Sequence, residues 1–469
     1  MKKRLNPILA VMLVLGCSPL VSAAEVHWYQ SGFDAHAGGE HNWRNKGLVP
    51  DTQFDNGDYR VLDVLKGQPE QKIDGFGGAF NEKGWDAMSG LTPAQRQKVL
   101  NELFSDNGLH LNIGRLPIGA NDFAMDYYSY DDVDGDYDLK YFSVKRDERY
   151  LLPYVKAALK IKPNLELFGS PWTPPAWMKA NKHYGCKASP ATAHLTWDTK
   201  TQNSYAQYFV KYVEAYAKEG VKIDAVHLQN EPAACQDFPS SLWNGKQMHD
   251  FLKDYMFPAF HKANLKTDIW LGTINHGDYE AYAKPTLTDP TLAKEIGGVG
   301  YQWDGKYAIA ATHQRHPDVK LMQTESECGD GSNDLYAGFY TFSLMKKYFD
   351  GGANSYVYWN MVLDGIGNST WGWRQNSLIS IDRAQGSKVK YNFEFYVMKH
   401  FSHFIQQGAK KIATDYDEDL LLFKNPDGEY VAVVANPSYS NRHVTIKVGD
   451  KMVKVTIPTL TINTFTIKA

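Results

Sequence analysis

A (β/α)8 barrel joined to an antiparallel β-sandwich built from both chain ends is the α/β fold class that this sequence predicts, on three observations. Eight short β-like runs alternate with helix-like segments between Ile73 and Trp359, the strand count of a closed barrel. A doubly wound sheet fits them less well, because the glycine-rich Gly75-Phe-Gly-Gly78 lacks the strand-to-helix context of a phosphate loop. From Leu420 the hydrophobic period falls to two, in short runs broken by turns such as Asn425-Pro-Asp-Gly428 and Gly449-Asp450.

Residues 1–24 come first: Met1-Lys-Lys-Arg4, an apolar run from Pro7 to Gly16, and the small residues Ser22-Ala-Ala24. That is the pattern of a secretory signal, too short for a stable membrane span, so the protein is expected to be exported after cleavage near Ala24. Val14-Leu-Gly-Cys17 fits lipoprotein processing as well, which would leave a lipid on Cys17 at the cell surface. Residues 25–72 are polar, with a strand-like Tyr59–Leu65, and read as peripheral strands of the sandwich. Residues 73–403 form the barrel.

Its strands are expected at Ile73, His110–Leu116, Leu165–Phe168, Asp224–Leu228, Asp268–Gly272, Gly298–Gln302, Val319–Gln323 and Ala353–Trp359. The glycines after Ile73 permit close backbone approach or unusual dihedrals. Thr92-Pro-Ala-Gln95 supplies a capping box with proline at the first helical position, so a helix starts there. Further helices are expected over Asp147–Ile161, Asn203–Glu219, Lys246–Ala263 and Leu335–Phe349. Residues 404–469 supply the remaining sandwich strands.

Composition narrows the function. A length of 469 residues holds one large and one smaller domain, and a net charge of -3 argues against nucleic acid as a partner. The 13% aromatic content is high, and aromatic faces pack on the apolar faces of sugars, although core packing accounts for most such residues. No Cys-x-x-Cys or His-Glu-x-x-His spacing occurs, so no metal or cofactor is expected, and the chain is read as a monomer. Of the cysteines beyond the signal, Cys186 and Cys235 sit in loops near the same strand ends and are expected to pair, leaving Cys328 free.

Two strand-like runs end on a glutamate: Val226-His-Leu-Gln-Asn-Glu231, followed by Pro232, and Val319-Lys-Leu-Met-Gln-Thr-Glu325. A glutamate at a strand end is usually only a solvated charge. Two of them on the catalytic face of a barrel fit glycoside hydrolysis, in which one carboxyl protonates the leaving oxygen and the other attacks carbon or activates water. Glu327 competes with Glu325, since residues two apart share a strand face.

Several segments together resemble glycoside hydrolase family 30, which includes glucosylceramidase: Gly75-Phe-Gly-Gly78, Gly114-Arg-Leu-Pro-Ile118 with Asp122, Ser170-Pro-Trp-Thr-Pro-Pro-Ala-Trp-Met178, Gln229-Asn-Glu-Pro232, Thr324-Glu325 and Trp359-Asn360. The resemblance implies a retaining enzyme with Glu231 as acid/base and Glu325 as nucleophile, their carboxyls about 5 Å apart. It also implies that Arg115, Asp122, Trp172, Asn230 and Trp359 bind sugar. Arg115 is equally suited to hold Glu325 ionised, and Trp172 and Trp359 are expected to face a cleft.

The sequence departs from the glucosylceramidase pattern at Gln302-Trp303-Asp304, where a His-Trp-Tyr run is usual. Trp303 remains a substrate-binding candidate, and Tyr307 is a possible replacement for the missing tyrosine. Glu325-Ser-Glu-Cys-Gly-Asp330 and Asn368–Asn376 are similar to the endo-β-1,6-glucanase branch, with Trp371 and Trp373 stacking further glucose units. Exo-acting β-glucosidase or glucosylceramidase, xylan cleavage, and an exported sugar-binding protein without chemistry are the alternatives.

Overall fold

The computed structural model describes residues 25–34, 39–49, 60–365, 367–415 and 419–468. Residues 1–24, read above as a secretory signal, and with them Cys17, lie outside the described residues. Eight parallel strands close on themselves: β1 (Gly75–Ala79), β2 (Ile113–Pro117), β3 (Glu166–Ser170), β4 (Ala225–His227), β5 (Asp268–Ile274), β6 (Val299–Gln302), β7 (Leu321–Glu325) and β8 (Ser355–Asn360). Each of the eight expected runs supplies one of them. The glycines of the first run lie within β1 rather than after it, and a Cβ on Gly77 would come 2.5 Å from the Ile113 carbonyl oxygen. Glycine there lets β1 and β2 close the barrel.

The barrel interior is packed. Ile113, Phe168, Ala225, Trp270, Met322 and Val357 form a cluster of their own, and the buried His227 ring lies between Phe168 and Trp270, at 4.5 and 5.2 Å. A filled interior leaves the mouth formed by the strands' C-terminal ends as the place where polar side chains converge.

The outer helices follow their predicted signals where the caps are strong. Thr92 and Gln95 make the reciprocal capping box of the helix Pro93–Phe104, whose Val99, Leu100, Leu103 and Phe104 are buried. The helix expected over Lys246–Ala263 is interrupted: Gly245–Phe251 passes through a π turn, Leu252–Met256, into Phe257–Lys262. Pro258 has no N–H and its ring crowds the carbonyl four residues back, so the wider turn accommodates it. Similarly, the segment from Asp147 is a 3-10 turn, Lys145–Arg149, before the helix Leu151–Ile161, whose first turn tolerates Pro153.

Both chain ends meet in the sandwich. One sheet runs in the order Gly39–Leu48, Glu25–Asp34, Thr461–Lys468, Tyr430–Asn436, Leu420–Lys424, Lys410–Ile412, Pro69–Lys72, and the second joins Lys451–Ile457, Arg442–Val448 and Arg60–Asp63. The module is not purely antiparallel, because Arg60–Asp63 pairs in parallel with Arg442–Val448. That strand joins its partner only through the whole barrel, a connection long enough to permit parallel pairing.

Period two in the last 50 residues has a double cause. Leu420, Leu422, Ala432 and Val434 face the second sheet, whereas Leu421, Phe423, Val431 and Val433 join the barrel's own core. The helix Phe393–Ser402, which the sequence reading did not foresee, fastens the two layers together. Its buried His400 bonds through Nδ1 to Thr464 Oγ1 at 2.8 Å and through Nε2 to Ser31 Oγ at 2.9 Å, one strand from each chain end. A three-stranded sheet of Val362–Asp364, Ile379–Asp382 and Lys388–Tyr391 was also unforeseen. Cys186 and Cys235 form the disulfide, and Cys328 is free and buried.

Candidate active site

A cleft of about 730 Å³ opens at the C-terminal mouth, lined by Asp122, Trp172, Asn230, Glu231, Phe238, Trp303, Glu325, Trp373 and neighbours. Glu325 is the last residue of β7 and points there directly. Glu231 arrives differently: β4 ends at His227, and the chain turns so that Glu231 takes φ 48° in front of Pro232. This left-handed backbone is uncommon for a residue with a side chain, and such positions concentrate at functional sites. The Glu231 N–H donates to the Thr273 carbonyl at 3.0 Å, which holds the turn against β5.

Arg115, on β2 and fully buried, organises the floor. Nη1 donates to Glu325 Oε2 at 2.8 Å, Nη2 to Asn230 Oδ1 at 2.7 Å, and Nε to Ser170 Oγ at 3.1 Å. Its guanidinium lies 4.6 Å from the Trp172 ring and 5.3 Å from the Trp359 ring. Asn230 Oδ1 also accepts from Thr273 Oγ1 at 3.1 Å, so its amide NH2 is turned away from the arginine and left for a ligand.

Gln302, at the end of β6, joins the two acids. Its Nε2 is 3.1 Å from Glu231 Oε1 and 3.0 Å from Glu325 Oε2. Two oxygens so close to one nitrogen are at most about 6 Å apart, short of the spacing that leaves room for a water between inverting carboxyls. The Gln302 Oε1 in turn accepts from Thr324 Oγ1 at 2.9 Å, which fixes the amide's orientation.

The two carboxyls are not electrically equivalent. Burial and the Glu325 charge raise Glu231 to about 8, with only Gln302 and Arg115 opposing. Burial raises Glu325 too, but Arg115, Trp303 and Gln302 all donate to its ionised form. With one guanidinium to balance the site, the negative charge resides on Glu325 and the proton on Glu231. Asp122 is pushed well up by burial and by Glu325 and Glu231, and its buried Oδ1 has no partner among the described residues. Trp359 Nε1 is likewise buried without a partner among the described residues. Asp122, which lines the cleft, is the one of the two suited to a sugar hydroxyl.

Other sequence candidates sort differently. Glu327 bonds to Lys306 at 2.7 Å and to the Tyr340 hydroxyl, and it does not line the cleft. Tyr307 is 60% exposed and packs against Lys306 and Lys347, so it does not contact Glu325. Trp303 does: its Nε1 donates to Glu325 Oε1 at 3.1 Å, from a backbone also at φ 48°. Trp359 lies beneath the cleft, 5.3 Å from Trp172, rather than at its surface. Trp373 lines the cleft, whereas Trp371 stands behind it against Tyr127 at 5.2 Å.

Gln302 and Phe238 are the residues that the sequence reading missed. Gln302 held the first place of the one triplet that departs from pattern, and that departure was the available signal. Phe238 carried none.

The arrangement can protonate one side of a bound acetal while attacking it from the other, and the class it defines is the retaining glycoside hydrolase. The glycosyl hydrolase family 30 TIM-barrel domain matches residues 73–405 and the family's β-sandwich domain matches residues 408–465. This chain belongs to glycosyl hydrolase family 30.

Among its relatives, the lysosomal acid glucosylceramidase of Mus musculus is 30% identical over 423 residues, covering 82% of this chain and 80% of that one. The endo-1,6-beta-D-glucanase of Neurospora crassa is 27% identical over 413 residues, covering 82% and 83%. The crystal structure of SrfJ from Salmonella typhimurium superposes with a TM-score of 0.84 at 25% identity, covering 95% of this chain and 99% of that one.

Proposed function

We propose that this protein is exported and cleaves β-glucosidic bonds with Glu231 as acid/base and Glu325 as nucleophile, and that β-1,6-glucan is its substrate. The observation that carries the roles is the Gln302 amide held between the two glutamates while Arg115 pairs with only one of them. Substrate oxygen protonated by Glu231 departs as Glu325 forms the glycosyl-enzyme; Glu231, now ionised, then activates water for release. Asn230 donates to the sugar 2-hydroxyl, Asp122 and Trp172 hold the rest of the ring, and Trp359 backs Trp172 from beneath.

The choice of β-1,6-glucan is supported by the Neurospora relative and by Trp373 at the cleft wall. The glucosylceramidase relative supports the second reading, an exo-acting enzyme that releases glucose from a glucosyl lipid. Export rests on the composition of residues 1–24, and no helix among the described residues is long and apolar enough to cross a membrane.

Turnover of β-1,6-glucan, an aryl β-glucoside and glucosylceramide decides between the substrates. For the roles, Glu325→Ala should lose turnover and regain it with azide, giving a product of inverted configuration, because the anion enters from the nucleophile's side. Glu231→Ala should accumulate glycosyl-enzyme from a dinitrophenyl glucoside, and azide should release it with retention. Binding of β-glucan by wild type without hydrolysis would instead establish a sugar-binding protein.

A further inference from the structure

The loop that follows Glu231 is anchored far more heavily than its task of leading to the next helix requires. Ala234, Gln236 and Phe238 line the cleft, and the Phe238 ring meets that of Trp373 at 4.8 Å. The Ala234 N–H donates to the Glu231 carbonyl at 2.9 Å, so this wall begins one turn from the carboxyl.

Behind the wall, Cys235 is bonded to Cys186, and the Cys186 N–H donates to the Gln236 carbonyl at 2.7 Å. Ser240 ties both segments together: its N–H donates to the Tyr184 carbonyl at 3.0 Å and its Oγ to the Ala234 carbonyl at 2.8 Å. The Tyr127 hydroxyl donates to the Asp237 carbonyl, and Tyr127 is itself packed between Tyr184 and Trp371, at 5.4 and 5.2 Å.

Lys179 completes the clamp. It is buried, and its Nζ donates to the carbonyls of Tyr184, Gly185 and Ser240 at 3.0, 3.3 and 2.7 Å. No carboxylate pairs with it among the described residues, and burial lowers its pKa to about 7. An ammonium held only by carbonyl dipoles is costly to bury, and methionine would fill the space without that cost. Its three acceptors come from the two loops that the disulfide also joins, so its effect is to fix their relative position.

The acid that protonates a leaving oxygen stands beside the leaving group, and the nucleophile stands on the opposite face of the sugar. A wall that grows out of Glu231 therefore meets the departing sugar. We propose that Phe238, together with Trp373, forms the subsite for the leaving-group sugar, and that Lys179 and the Cys186–Cys235 disulfide are positioning residues that hold this wall in place. The inference rests on Glu231 being the proton donor.

The test compares a β-1,6-linked gluco-oligosaccharide with β-glucosyl fluoride, whose leaving group has no ring. Lys179→Met and the double variant Cys186→Ser/Cys235→Ser should each raise KM for the oligosaccharide about tenfold while fluoride release stays within about twofold of wild type. Phe238→Ala should raise the same KM, and removing the disulfide in that background should add little, since the two changes act through one wall. An unchanged oligosaccharide KM in both positioning variants overturns the inference, as does an equal loss on both substrates, which would show that the clamp serves the catalytic pair or the fold. If wild type hydrolyses neither substrate, the proposed function itself falls and takes this inference with it.

Discussion

Glu231→Gln should make the protein more stable as well as inactive, and the gain should depend on pH. The ordinary glutamate value is 4.5, whereas Glu231 in the folded protein titrates at about 8. Below pH 4.5 the carboxyl is protonated in both folded and unfolded states and has no effect on the balance. Between 4.5 and 8 the unfolded chain releases its proton while the folded one keeps it, so stability falls as pH rises. At pH 7 that interval is about 2.5 pH units, or an upper limit of ~3.4 kcal/mol. The residue is partly open to the cleft and coupled to Glu325, so a realistic figure is about 1–3 kcal/mol.

Glutamine reproduces the protonated carboxyl and carries no such linkage. At ~2.1 cal/mol/K per residue, the 469-residue chain has an unfolding entropy of about 1 kcal/mol/K, so the expected gain in Tm is roughly 1–3 °C at pH 7. Thermal melts of wild type and variant, recorded from pH 4 to pH 8, should coincide at the acid end and separate progressively. A difference in Tm that is constant with pH, or a less stable variant at pH 7, would refute the assignment of the proton to Glu231.

Other outcomes follow from the same geometry. Arg115→Met leaves Glu325 buried without its cation and should cost roughly 3–5 kcal/mol in denaturant unfolding, with loss of activity. Gln302→Leu removes a donor that lowers both carboxyl pKa values, so both limbs of the kcat/KM profile should move to higher pH; an unmoved profile would show that the amide does not couple the pair. Deleting Thr461–Ala469 removes the strand that lies between Glu25–Asp34 and Tyr430–Asn436, so soluble yield should collapse. A truncated chain that melts like wild type would show that the sandwich is dispensable.

Sequence alone determined the elements whose signals are local. Eight apolar runs, the capping box at Thr92 and the alternation after Leu420 each report a period or a cap that needs no distant partner. Glu231 and Glu325 were legible for a related reason, since a carboxylate at or just beyond the C-terminal end of a barrel strand is delivered to one face, although the turn that carries Glu231 past the end of β4 was not. The helix at Pro258 was legible in existence but not in form, because the consequence of a missing N–H depends on how the surrounding turns give way.

Tertiary structure alone decided the relations among residues far apart in the chain. That Glu325 rather than Glu327 faces Glu231 depends on Lys306 and Tyr340 drawing Glu327 away, and neither lysine nor tyrosine signals this locally. Gln302 looked like a departure from a pattern until the fold placed its amide against both acids. Trp303, not Tyr307, donates to Glu325 because the backbone at Trp303 turns left-handed and swings the indole inward. The reason is common to all three: hydrogen bonds and charge balance at the mouth join side chains from β2, β6 and β7 with those of the turn after β4, and only closure of the barrel brings those strand ends within a few ångströms of one another.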